Sequence, residues 1–326
     1  MDSIVTRVYN NFIIDKNFGT ITKISSNQKL KDEISYLQNI SKTNLSVFFP
    51  RVLKTQNTES CSVTMELYSY EDLAHKMINK PFNQEEWYKI CNQILTSLQL
   101  FEKETPQSIN TNEYKDCFEK IYITKTRNEF LSLFKSCKFF NDLLSYRTLV
   151  INGVKYNNFK YIENNIYNII TKNLLRGDIS IIHGDFCFGN ILHSIYKDSC
   201  ILKFIDPRGS WGNDGIYGDK RYDFAKILHS FDGCYEYITN DKFNLKYTNN
   251  KIDFEFFNSN YRYISNIFLD NIFKTSNLDI SEIKLIEGLL FISMCARHYD
   301  SLDRQIIMYA TGVRILNQIL NKYETK

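Results

Sequence analysis

Hydrophobic positions change their period along the chain. Over the first 25 residues they come in short clusters. Val5 to Tyr9, Phe12 to Ile14 and Thr20 to Ile24 are rich in β-branched and aromatic side chains, with Asn10-Asn11 and Lys16-Asn17-Phe18-Gly19 between them. That pattern predicts strands separated by turns. From about Asn27 to Ile40 the apolar residues Leu30, Ile34, Leu37 and Ile40 share one helical face. Two further strands are predicted at Ser46 to Phe49 and at Ser62 to Leu67. Beyond about residue 72 the spacing becomes helical. Trp87, Ile90, Cys91, Ile94, Leu95, Leu98 and Phe101 form one stripe. Phe159, Ile162, Ile166, Ile169 and Ile170 form a second, and Leu302, Ile306, Ile307, Ala310, Val313, Leu316 and Ile319 a third. Such stripes are core faces.

Within the helical part, Asn152-Gly153 lies between apolar flanks in Thr148 to Tyr156, which predicts a hairpin. Two apolar runs follow. Ile179 to Ile182 leads into His183, and Ile201 to Ile205 leads into Asp206; they read as paired strands whose ends carry polar residues. No repeat or low-complexity linker interrupts the chain. The expected class is α+β: a small β-rich unit over residues 1–70, then a larger, mainly helical part over residues 71–326.

The composition narrows the function. Forty basic and 37 acidic side chains leave a formal charge of +3 across 326 residues. No block of like charges stands out, which weighs against a nucleic-acid partner. With 43% hydrophobic and 15% aromatic residues, the chain has the means to bury a core. Its cysteines lie at 61, 91, 117, 137, 187, 200, 234 and 295. None has a CxxC partner, so zinc-ribbon and dithiol redox chemistry is excluded. The start, Met1-Asp2-Ser3-Ile4, carries no basic and apolar leader, and the run from Leu289 to Ala296 is too short for a bilayer. These features predict a cytoplasmic protein with reduced thiols and no membrane span.

The chemistry concentrates in His183-Gly184-Asp185-Phe186-Cys187-Phe188-Gly189-Asn190 and Ile205-Asp206-Pro207-Arg208-Gly209. Two adjacent strand ends would present two carboxylates and a carboxamide to one opening. Asn190 and Asp206 offer hard oxygens suited to Mg²⁺. Asp185, across the loop, is placed to accept a proton from a hydroxyl. Phosphoryl transfer divides its labour in this way, with cationic charge on the phosphates and a base on the nucleophile.

Taken together, these segments resemble the aminoglycoside phosphotransferase and choline kinase family, relatives of protein kinases, whose catalytic loop reads His-Gly-Asp-x-x-x-x-Asn and precedes a strand ending in a metal-binding Asp. The resemblance implies a bilobal protein-kinase-like fold. It implies Asp185 as catalytic base, Asn190 and Asp206 as Mg²⁺ ligands, and His183 as a structural support of the loop. ATP or GTP would be the phosphoryl donor and a small-molecule alcohol the acceptor.

Kinase-like folds also need a strand lysine paired to a helix glutamate. Lys23 and Glu33 are the candidates, since Glu33 falls inside the apolar stripe of its helix and needs a cation there. Glu66, Leu67 and Tyr68 resemble the strand-to-hinge crossing that meets adenine through backbone groups. Asp223 would brace the catalytic loop, and Arg208, His298, Asp300 and Asp303 are candidates for substrate contacts. One departure is plain: no GxGxxG precedes Lys23, and Asn10-Asn11 takes the place of the first turn. The Ile205 to Gly209 segment, with the late His-Tyr-Asp, is similar to kinase-type proteins of bacterial surface-polysaccharide assembly. A sugar-like acceptor is therefore expected first, and a choline- or ethanolamine-like alcohol or an aminoglycoside next. Two readings of other classes stay open: a nucleotide-binding scaffold without transfer, and a metal hydrolase built on His183, Asp185 and His193.

Overall fold

The structure is a computed structural model that describes residues 11–57, 61–79, 82–136, 138–197, 199–257, 265–270 and 278–324. The strand expected at Val5 to Tyr9, the turn residue Asn10 and Cys137 lie outside the described residues. In chain order the elements begin with β1 (Asn11–Asp15), β2 (Thr20–Ser25), α1 (Gln28–Ile40), β3 (Val52–Asn57), β4 (Cys61–Glu66), β5 (Glu71–Asp72), α2 (Leu73–Asn79) and α3 (Gln84–Lys103). Next come α4 (Lys115–Glu119), α5 (Lys125–Ser136), α6 (Lys138–Leu143), β6 (Thr148–Ile151), β7 (Val154–Asn157) and α7 (Phe159–Asn173). The chain continues through β8 (Ile179–Ile181), β9 (Ile191–Tyr196), β10 (Ser199–Phe204), β11 (Tyr217–Asp219), α8 (Lys220–Phe231) and α9 (Tyr235–Thr239). It ends with β12 (Phe243–Thr248), β13 (Lys251–Phe256), α10 (Ile280–Met294) and α11 (Leu302–Glu324).

Two compact units form. One joins Met1–Ile109 to Ile179–Gly218; the other joins Asn110–Asp178 to Asp219–Lys326. In the first, β1-β2-β4-β3 make an antiparallel sheet, and α1 packs on β3 and β4. Asn27 caps α1 by accepting the Lys29 N–H, which satisfies one of the open donors of its first turn. Leu30, Ile34, Leu37 and Ile40 are buried as the periodicity requires. A second sheet, β10-β9-β5, and the short pair β11-β8 complete the unit.

Two expectations are corrected here. Ser46 to Phe49 is not a strand: Asn44–Phe48 is a 3-10 turn capped by Thr43, whose hydroxyl accepts the Leu45 N–H. A local side-chain bond of this kind overrides β propensity. The strand in its vicinity is instead β3, which is polar (Lys54, Thr55, Gln56, Asn57) because it lies at the edge of the sheet. The runs 179–182 and 201–205 are not paired with each other. β8 pairs with β11, and β10 folds back on β9 with Phe204 opposite Ile191.

An aromatic cluster lies beneath the polar strand ends. Phe186 and Phe204 meet edge to face at 4.7 Å, Phe48 stacks on Phe204 at 5.3 Å, and Phe101 joins both. Each buried ring contributes about 1.5–3 kcal/mol by leaving water.

In the second unit, α10 and α11 pack along each other, with α8 and α5 against α10. Asn152 and Gly153 both take positive φ (48° and 78°) and close the predicted β6-β7 hairpin. A second hairpin, β12-β13, extends it to the sheet β12-β13-β6-β7, with β13 parallel to β6. The seven cysteines among the described residues are free thiols, five of them buried. No helix among the described residues is long and apolar enough to cross a membrane.

Candidate active site

The loop between β8 and β9 is tied within itself by one bond and to the end of β10 by three. His183 Nδ1 accepts the Asp185 N–H at 3.3 Å, so Nε2 carries the ring proton and donates it to Ile205 O at 3.0 Å. Arg208 N donates to His183 O at 2.9 Å, and Ile205 N donates to Asn190 O at 3.0 Å. His183 is fully buried and stacks near Phe49 and Phe186. It is thus a neutral tie between the two segments.

Asn190 Nδ2 donates to Asp185 O at 2.7 Å, which closes the loop on itself. Cys187 N also reaches Asp185 O, at 2.9 Å. With Ile205 bonded to Asn190, the residue that follows it, Asp206, comes beside the same loop. The structure therefore brings Asp185, Asn190 and Asp206 to one place within the first unit.

Lys23 joins them. It lies on β2 opposite Val63 of β4, on the buried face of the sheet. Its Nζ donates to Glu33 Oε2 at 2.6 Å and to Asp206 Oδ1 at 2.9 Å. Burial alone would lower the Lys23 ammonium. The charges of Glu33 and Asp206 outweigh it and hold the group above its ordinary value, so Lys23 is a cation. For Glu33 burial dominates: together with the Asp206 charge it pushes the carboxyl up to about 7, against the pull of Lys23.

Asp206 has φ 55°, the left-handed region, where a non-glycine residue is strained. Its side chain remains 48% exposed while Lys23 grips one oxygen. The Asn190 amide nitrogen is committed to Asp185, and the amide oxygen accepts no hydrogen bond among the described residues. Two hard oxygens, one of them charged and half-open to solvent, fit Mg²⁺, which keeps several waters and phosphate oxygens of its own. Among the described residues no three or more His, Cys, Asp or Glu side chains gather as a self-sufficient metal site. His193 Nδ1 bonds to Glu71 O at 2.8 Å, and its ring packs edge to face on Phe82 at 5.0 Å.

The hinge candidates lie at the end of β4. Glu66 pairs with Arg51 at 3.4 Å and accepts the Tyr68 hydroxyl at 3.1 Å. Tyr68 stacks on Tyr70 at 5.8 Å, and Leu67 N bonds to Gly19 O at 2.9 Å. Arg208 backs the 183–190 loop through its backbone. The remaining candidates belong to the second unit. Asp223 is buried at 1% exposure in the first turn of α8. Asp300 pairs with Arg304 at 3.0 Å, and Arg304 forks onto Asp241 at 2.6 and 2.8 Å. His298 Nε2 lies 3.5 Å from the Tyr235 hydroxyl, and Asp303 is exposed in the first turn of α11.

A buried network escaped the sequence reading. Asp219 caps α8, accepts Arg221 N, Nε and Nη2, and takes the Tyr122 hydroxyl at 2.7 Å. Arg221 Nη1 pairs with Glu282 at 2.8 Å. An acid just before a helix start was the available signal.

No protein-family model matches the chain, and no curated protein matches it. Solved structures do. Glucosamine kinase in complex with glucosamine, ADP and inorganic phosphate is similar over 97% of this chain and 81% of its own, at 9% identity and a TM-score of 0.52. An aminoglycoside phosphotransferase from Streptomyces rimosus ATCC10970, solved with ADP and streptomycin, is similar over 87% of this chain and 92% of its own, at 12% identity and a TM-score of 0.47. An aminoglycoside-3'-phosphotransferase of type VIII covers 88% of this chain and 94% of its own, at 12% identity and 0.46. The match to the glucosamine kinase structure shows that the chain has a protein-kinase-like fold, the fold class expected from the sequence.

Proposed function

We propose that the protein is a nucleotide-dependent phosphotransferase acting on a hydroxyl of a small molecule. The observation that carries this reading is the grouping of Lys23, Glu33, Asp185, Asn190 and Asp206 around one loop, with Lys23 bridging both acids. Asp185 is the base: it orients the acceptor hydroxyl and takes its proton. Lys23, held by Glu33, meets the nucleotide phosphates and steadies their charge. Asn190 and Asp206 would hold Mg²⁺, which supplies charge neutralisation on the transferred phosphoryl group when bound. His183 keeps the loop in register, and the backbone of Glu66, Leu67 and Tyr68 receives the nucleobase. ATP is the first choice of donor and GTP the second.

A sugar or sugar-like alcohol is the first choice of acceptor. The glucosamine kinase of this fold holds a sugar and ADP, which supports that choice. A role in surface-polysaccharide assembly follows from the Ile205 to Gly209 resemblance. Amino alcohols and aminoglycosides are the alternatives, and Arg208, His298, Asp300 and Asp303 are the residues to vary for acceptor preference.

Release of ADP from ATP, measured over a panel of sugars, amino alcohols and aminoglycosides, tests the reading. Acceptor-dependent ADP release is expected, and Asp185→Asn should lower it by about 10²- to 10⁴-fold, the size of a general-base contribution. Nucleotide binding with no transfer to any acceptor would instead indicate a scaffold.

A further inference from the structure

Two glycines stand where the segment that carries Asp206 meets its neighbours: Gly184 against the Arg208 side chain, and Gly209 against helix backbone. Gly184, at φ +79°, faces Arg208: a methyl group built on it would stand 2.8 Å from Arg208 Cβ. Gly209, at φ +71°, faces α1: its methyl would stand 2.1 Å from Asp32 O and 2.3 Å from the Asp32 carbonyl carbon. No side chain fits at such a distance, and the neighbour that would have to yield is helix backbone. Asp32 immediately precedes Glu33. The same segment is bonded to the catalytic loop through Arg208 N to His183 O and Ile205 O to His183 Nε2, and Gly215 N closes it by donating to Gly209 O at 3.0 Å.

We propose, resting on the roles given above to Lys23 and Asp206, that Arg208-Gly209 is a strut set between the catalytic loop and α1, and that Gly209 is a positioning residue holding Glu33 on Lys23. Its effect runs through α1. A side chain at 209 displaces the Asp32 carbonyl, moves Glu33 and releases Lys23, while leaving the phosphate-facing groups chemically intact.

Gly215→Ala is the matched control. Gly215 also has a backbone that disfavours side chains (φ +127°), lies in the same loop, and would meet nothing within 4 Å. In the ligand-free protein, amide hydrogen exchange at Glu33 to Leu37 should quicken about tenfold in Gly209→Ala and less than about twofold in Gly215→Ala. MgADP affinity then separates a route through Glu33 from general damage. Gly209→Ala should weaken it about tenfold in the native background and less than about twofold in Glu33→Gln. Equal exchange in the two alanine variants, or additive losses in the cycle, would overturn the strut. If Gly209→Ala does not fold, exchange of the native protein under rising denaturant decides the matter: α1 and 205–209 should merge into one opening unit, and separate openings would refute the coupling. A native protein that binds no MgADP would defeat the phosphotransferase reading, while the exchange result would still decide the strut.

Discussion

Glu33 occupies a position where an acid is costly. It is 4% exposed, within the apolar stripe of α1, and its carboxyl titrates at about 7 instead of 4.5. Burial is the first cause, and Lys23 offsets it only in part. The sign follows from linkage. Between about 4.5 and 7 the folded chain keeps a proton that the unfolded chain has lost, so Glu33 alone makes the fold less stable as pH rises through that window. Function should run the other way. Below about 7, protonated Glu33 no longer holds Lys23 as an ion pair, and Lys23 leans on Asp206 alone. MgADP affinity should therefore fall several-fold between pH 8 and pH 6, and that limb should be missing in Glu33→Gln. A calorimetric titration across this range checks it; an identical slope in the variant would assign the proton elsewhere. Among single residues, the sequence made Lys23 and Glu33 readable because a lone acid in an apolar stripe demands a cation. It did not disclose that Lys23 also takes Asp206 at 2.9 Å, a contact across a separation no local pattern reports.

At the scale of elements, caps and buried networks set the costs. Asn27 accepts the Lys29 N–H at the start of the helix that carries Glu33. Asn27→Ala should cost about 1 kcal/mol in chemical denaturation. The Asp219, Arg221 and Tyr122 network is different in kind, because its acid is completely buried and takes three bonds from one guanidinium and its own backbone. Asp219→Ala leaves that cation without its buried partner and should destabilise the protein by about 3–5 kcal/mol. A loss below about 1 kcal/mol would show that Glu282 alone suffices. Long helices were legible because their stripes span many turns, as α3, α7 and α11 show. Short elements were less so. Thr43 turned Asn44–Phe48 into a 3-10 segment, and the edge position of β3 removed the apolar signal that marks a strand. The β12-β13 hairpin carried a readable alternation, Phe243, Leu245 and Tyr247 against Ile252, Phe254 and Phe256, around Asn249 at φ 55°. Pairing of the runs at 179 and 201 was misread because two apolar strands that end near one another need not be neighbours in a sheet.

For the molecule as a whole, fold class and the loop at 183–190 followed from the sequence, while strand order and the packing of Gly209 on α1 required coordinates. Similarity at 9% identity over 97% of the chain shows how far side chains can change while the arrangement of elements persists. In this chain a folded backbone brings together a small set of polar groups: Lys23 from β2, Glu33 from α1, Asp185 and Asn190 from one loop, and Asp206 just past the end of β10. The central claim is that this set grips a magnesium-loaded nucleotide. Calorimetric binding of ADP with and without Mg²⁺, in the native protein and in Asp206→Ala, tests it most directly. Mg²⁺ should strengthen ADP binding by about tenfold or more in the native protein, and the gain should vanish in Asp206→Ala. A native protein indifferent to Mg²⁺, or a variant that keeps the full gain, would contradict it.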